Sequence, residues 1–288
     1  MAISAKAWVF IALSIVGVAF IGFWIAHARR RGGGWPRPLH LAIGVITDFF
    51  DTLGVGSFAT TTSLYKFGRV VDDANIPGTL NVGHMLPTFA QAFIYITVVQ
   101  VDMPTLILMI GAAVAGAWLG AGFVAGWPRR NIQIGMGVLL LVAAAVMITR
   151  LRFMPEGGQA IALAGWRLGV GLAGNFMLGA LMTLGIGLYA PCMVLVSLLG
   201  MNDNVAFPIM MGSCAFLMPA ASVQFVRSQR YDLRAALGLA IGGIPAVLVA
   251  GLWVKSMKLQ TVKWIVVAVV IYTAAAMLYS AAKEKRRG

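Results

Sequence analysis

The chain reads DTLGVGSFAT at Asp51–Thr60 and, in a second copy, MTLGIGLYAP at Met182–Pro191. Between Thr52–Ala59 and Thr183–Ala190 five of eight residues are identical, and Val55/Ile186 and Phe58/Tyr189 are near-isosteric exchanges. Each copy sets two glycines and a hydroxyl in the middle of an apolar run. Glycine lets the backbone leave helical φ/ψ without a Cβ clash, so each copy predicts a break in a helix. A helix restarting at Ser57 or Leu188 offers unpaired N–H groups and the positive end of its dipole, a setting that suits an anion. One such motif alone reads more simply as close helix packing through small residues. Two copies at matching positions favour a site.

The surroundings set the class. The chain is 60% hydrophobic and 11% charged, with a mean hydropathy of +0.89, where a soluble domain carries roughly a quarter charged residues. Its apolar residues fall in blocks of about 18 or more, the length that crosses a hydrocarbon core. These features predict an all-α polytopic membrane protein. The net charge of +13 sits in short Lys/Arg clusters between apolar blocks, as the positive-inside bias requires, and this excludes nucleic acid as a partner. Cys192 and Cys214 lie in apolar stretches with no metal-ligand or disulfide spacing, so no cofactor is expected.

Working outward, residues 7–28 form a first span. Ala26-His27-Ala28 imitates a cleavage site, but Arg29-Arg30-Arg31 follows at once, so the segment reads as a retained anchor. Residues 1–38 are thus an N-terminal helix and basic linker. The first repeat, 39–149, holds the interrupted run 39–66, a polar loop at 67–77, and spans at 78–101, 105–126 and 131–149. A mixed surface connector fills 150–169. The second repeat, 170–288, holds an interrupted run at 170–199, spans at 204–226, 235–254 and 262–281, and the basic tail Lys283–Arg287. The offset is about 131 residues: Asp72 matches Asp203 and Pro77 matches Pro208. Residues 39–53 reach about 22 Å as helix and 57–66 about 15 Å, against a core of about 30 Å. Each interrupted run is therefore a re-entrant hairpin or one broken, tilted span. Hairpins leave three full spans per repeat and make the repeats inverted, which is the preferred arrangement because transporters commonly use it.

Within 78–101, Asn81, His84, Thr88, Gln91 and Tyr95 recur at steps of three and four, one face of a helix. A polar stripe of that length does not face lipid; it lines a pathway or joins helices by hydrogen bonds. Asp48 and Asp51 are the only acidic residues inside the expected membrane runs. Their functional reading is uptake and release of a proton coupled to transport. The structural reading is a pair with Arg69, Lys66 or His84. No P-loop, zinc motif or Ser/His/Asp set is visible in the sequence.

The paired TLG-[VI]-G-x-[FY]-A breaks, with IPGTLNVGHMLPT at 76–88 and the two-fold hydropathy, resemble the sulfite exporter TauE/SafE family of membrane permeases. The resemblance covers about 39–281. It implies a secondary transporter of the bacterial cytoplasmic membrane that moves small sulfur oxyanions or organosulfonates, such as sulfite or sulfoacetate, usually outward. Its signature segments fall on Thr52–Thr61 and Asn81–His84, and on Thr183–Cys192 and the region of Gly212-Ser213. The candidate substrate-binding residues are Thr52, Gly54, Gly56, Ser57, Thr60, Thr61, Asn81 and His84 in the first half. In the second they are Thr183, Gly185, Gly187, Tyr189, Cys192 and Ser213. Asp48 and Asp51 are the proton-coupling candidates. The second copy departs from the first with Met182 for Asp51 and Pro191 for Thr60.

The expected protein is thus a transporter and not an enzyme. Its partners are a small anion and the lipid bilayer, with a homodimer left open. Three rivals stand beside it: a passive anion channel, an intramembrane enzyme using His84 with Asp48 or Asp51, and a scaffolding subunit.

Overall fold

A computed structural model describes residues 4–32, 34–120, 129–153, 158–183, 187–256 and 259–285. It is 84% helical with no strand among those residues. The helices are α1 (Ala5–Arg31), α2 (Pro38–Thr52), α3 (Ser57–Gly68), α4 (Ile76–Val98), α5 (Met103–Ala115, continuing as a π turn through Gly120), α6 (Arg129–Phe153), α7 (Gly165–Met182), α8 (Tyr189–Leu198), α9 (Ala206–Arg227), α10 (Leu233–Ser256) and α11 (Leu259–Lys285). Among the described residues, three stretches are long and apolar enough to cross a membrane: Ala5–Arg30, Asp203–Arg227 and Leu233–Trp253. Every uninterrupted run expected from the sequence coincides with a helix over its described residues, and both glycine motifs fall between helices.

The contacts give the direction of each helix. Asp48 meets His84, while Thr52 meets Gln91 and Tyr95, so α2 and α4 run the same way. The chain between them must turn back. Ser57 lies against Asp51, and Thr61, one turn on, against His84 at the level of Asp48. α2 and α3 therefore form a helical hairpin rather than one bent rod. The second break does the same: Gly174 packs on Leu195 and Gly171 on Leu199, so α7 and α8 are antiparallel. α4 and α9 also run in opposite directions, with Gly78 under Phe225 at one end and Tyr95 stacked on Phe207 at 4.8 Å near the other.

Glycines let these helices approach closely. α2 lies along α10 through Gly44, Gly238 and Gly242, each facing the partner's backbone. α7 lies along α5, where Gly179 faces the Ala113 carbonyl and Gly116 faces that of Phe176. Close van der Waals contact through small residues is the packing that membrane helices commonly use. A side chain at Gly179 would overlap backbone, which no rotamer change relieves. Gly179→Leu is expected to destabilise the protein by about 3 kcal/mol, the upper end for overpacking. Gly169→Leu on the same helix meets nothing within 4 Å and should be neutral. Thermal unfolding of the two variants in detergent measures the difference.

Candidate functional site

The tips of the two hairpins meet. A Cβ on Gly56 would touch Tyr189, and one on Gly187 would touch Phe58, both at 3.9 Å. The first tip is made by Gly54 and Gly56, whose φ values of +95° and +82° favour glycine. The turn brings the start of α3 back over the last turn of α2, and a group on α2 awaits it there. The Ser57 N–H donates to Asp51 Oδ1.

This corrects one expectation. The N-terminus of α3 is not open for a solute anion, because the Asp51 carboxylate already occupies it. Asp51 Oδ2 accepts from Gln91 Nε2 at 2.8 Å, and the same nitrogen donates to Thr52 Oγ1 at 3.0 Å. Gln91 Oε1 in turn accepts from the Tyr189 hydroxyl of the second hairpin at 3.0 Å, and Tyr95 donates to the Thr52 carbonyl. One glutamine on α4 thus ties α2 to α8. Helix α8 begins at Tyr189 with no side-chain cap on its first N–H groups.

Asp48 takes the structural partner foreseen for it. His84 Nδ1 lies 2.8 Å from Asp48 Oδ1, and His84 Nε2 lies 2.9 Å from Thr61 Oγ1. Asp48 Oδ2 has no partner and sits over Gly243 of α10. The order Thr–His–Asp is that of an activated nucleophile, its base and an orienting acid. The sequence offered His84 with Asp48 but not Thr61, because the three residues lie on three helices. All three are fully buried, and neither described cavity at the tips is lined by Thr61. The arrangement ties α2, α3 and α4 together.

The hairpin tips enclose a cavity of about 10 Å³, room for one water. Asp51, Ser57, Thr88, Gly187 and Tyr189 line its polar side, and Met182, Cys214 and Met218 its soft side. Cys214 donates to Met182 Sδ at 3.5 Å, so the position matching Asp51 in the second copy carries a sulfur contact in place of a carboxylate.

Asp48, Asp51, Thr52, Gly56, Ser57, Thr61, His84, Gly187 and Tyr189 of the expected set therefore converge at or beside the tips. Gly54 is part of the first tip but is packed under Met193 and lines neither cavity. Others do not converge there. The Thr60 and Thr183 hydroxyls donate to carbonyls of their own helices, at 2.9 and 2.6 Å. Asn81 donates to the Pro77 carbonyl. Cys192 is buried within α8 and lines neither cavity. Ser213 accepts from Asn175 of α7 at 3.0 Å. Gly185 lies outside the described residues. Gln91 and Tyr95 belong to the site although the sequence placed them only in the stripe. Their signal was the stripe's register, in which every member is buried.

No known protein family, curated protein or solved structure matches this chain.

Proposed function

We propose that the chain is a polytopic secondary transporter of small sulfur oxyanions or organosulfonates, such as sulfite or sulfoacetate, in the bacterial cytoplasmic membrane. On this reading it belongs with the TauE/SafE permeases that its glycine motifs resemble, and it moves its substrate outward. The observation that carries the reading is the meeting of two hairpin tips around Asp51, Gln91 and Tyr189, deep among apolar helices. Irregular backbone at membrane depth is tolerated where it is buried in protein or lines a cavity, and transporter sites are commonly built from paired broken helices. The repeats are inverted. The opposite directions of α4 and α9 support this, as does the reciprocal packing of α2 on α10 and α7 on α5, the first helix of each repeat on the fourth of the other.

The Asp51 carboxylate supports an oxyanion substrate because it is one, held at a helix N-terminus. Substrate and Asp51 then compete for the Ser57 N–H. A proton on Asp51 removes its claim on that donor, and a substrate oxygen takes its place. Losing the proton returns the carboxylate to the tip and expels the anion. Proton and anion thereby occupy the site together, and with the sulfoacetate dianion the pair carries one net negative charge, which an inside-negative membrane potential drives outward. Coupling resides in the first repeat, since the second has Met182 at this position.

The test is flux into proteoliposomes. Wild-type protein is expected to accumulate sulfoacetate or sulfite with saturation, which separates it from a passive channel. Gly187→Leu places its Cβ at ordinary contact distance and projects a side chain between the tips. It should fold normally and lose transport, by at least about a hundredfold if positioning at the tips governs the rate. Wild-type flux in that variant would sink the reading.

A further inference from the structure

Between the hairpin tips and the α6/α11 pair lies a second cavity, of about 110 Å³. Its inner end is Gly56, Gly187 and Tyr189, the two tips. Its outer walls are Thr62 and Ser63 of α3, Gln133 of α6, and Thr273 and Ser280 of α11. No charged side chain lines it among the described residues. Gln133 is only 8% exposed, and its Oε1 has no hydrogen-bond partner. Native interiors rarely leave such a group unsatisfied, so the side chain calls for a partner in the cavity, and an acceptor such as an oxyanion meets it once the amide turns its N–H₂ inward. The mouth carries the opposite character to the walls. Arg130 precedes Gln133 by three residues and Lys283 follows Ser280 by three, so each stands on the same helix face one turn beyond the wall. Both are exposed.

We infer that this cavity is an outer binding station for the transported oxyanion. Gln133 sets the affinity there, and Arg130 and Lys283 draw the anion to the mouth. The station rests on the transport reading above and adds to it a site on α6 and α11, helices that the glycine motifs do not mark. The division of labour is physical. Exposed positive charge raises the local concentration of an anion and speeds its arrival. Walls of hydroxyls and one amide then hold it by hydrogen bonds without the full counter-charge that would delay its release. A glutamine can turn either its N–H₂ or its oxygen to the ligand, so it serves an oxyanion in a deprotonated or protonated form.

Sulfoacetate uptake by reconstituted full-length protein tests the station. Gln133→Leu is expected to raise KM about tenfold with kcat within about twofold, the pattern of lost uniform binding, and Gln133→Asn to recover part of the loss. The double variant Arg130→Gln/Lys283→Gln should raise KM several-fold at low ionic strength, about 0.01 M, and nearly match wild type at about 1 M. An unchanged KM in Gln133→Leu, or a charge effect indifferent to salt, overturns the inference.

A second measurement separates its failure from that of the transport reading. Cys192 and Cys214 are buried, so a charged thiol reagent reports on a Ser63→Cys variant at the cavity wall. Sulfoacetate should slow that labelling when Gln133 is present and not in Gln133→Leu. Labelling that sulfoacetate leaves unchanged, in protein that transports it, removes the station and leaves the transport reading standing. Protection without any wild-type transport does the reverse.

Discussion

Asp51→Asn is expected to abolish the pH dependence of substrate binding and, with it, accumulation driven by a proton gradient. In the wild type the ionised carboxylate competes with the substrate for the Ser57 N–H, so affinity should fall as pH rises. One competing ionisation gives a slope of up to about tenfold per pH unit. Asparagine carries no ionisable proton. It keeps an oxygen for Ser57, and Gln91 adapts by reversing its amide, since the Tyr189 hydroxyl can accept where it formerly donated, at the loss of the Gln91–Thr52 hydrogen bond alone. The fold should therefore survive, and exchange down a gradient should continue. Sulfoacetate affinity measured from about pH 6 to pH 8 by ligand-dependent thermal stabilisation reports the competition directly. A variant that still follows the wild-type pH profile would remove Asp51 from the coupling step. A folded variant that binds at no pH would make Asp51 a structural cap and nothing more.

That experiment turns on a contact the sequence only half disclosed. The first TLGxG motif was legible as a helix break because glycine at positive φ, at Gly54 and Gly56, is a local requirement written in local residues, and the second was legible by its likeness to the first. The stripe from Asn81 to Tyr95 was legible because helix periodicity is local too. The direction of each arm was not. Whether 39–66 is a hairpin or a bent span depends on whether Thr61 or a later residue stands beside His84, a contact 23 residues apart. The N–H of Ser57 looked free because an unpaired helix start is the default, and its occupant lies six residues back across a turn. Had the turn been granted, Asp51 was the nearest acceptor able to fold onto it. Gln133 was further from reach. A single glutamine in an apolar helix reads as well for a lipid headgroup contact as for a cavity wall. Only the packing of α6 with α11 beside the tips, seen in Gly137 beneath Leu278, gives it a role.

His84→Leu is expected to be the most destabilising single substitution in the contacts of the first hairpin. His84→Leu removes the partner of a fully buried carboxyl group and leaves both of its oxygens unpaired, since Asp48 Oδ2 already has none. Breaking a buried pair from one side costs about 3–5 kcal/mol, most of it the penalty of stranding the remaining group. The loss is therefore not the net worth of the pair. Asp48→Asn in the same background replaces the stranded acid by a neutral amide of nearly equal volume, and should restore at least about 1 kcal/mol of what His84→Leu removed. Thermal unfolding of the two single variants and the double variant closes the cycle. Non-additivity identifies a pair that acts as a unit and staples α2 to α4. Simple additivity would mean that the two side chains are stabilised by their separate surroundings, with the 2.8 Å contact contributing little. The same cycle read on transport separates staple from relay. If the double variant regains stability and flux together, Asp48 and His84 hold the tip in place while Asp51 alone handles the proton.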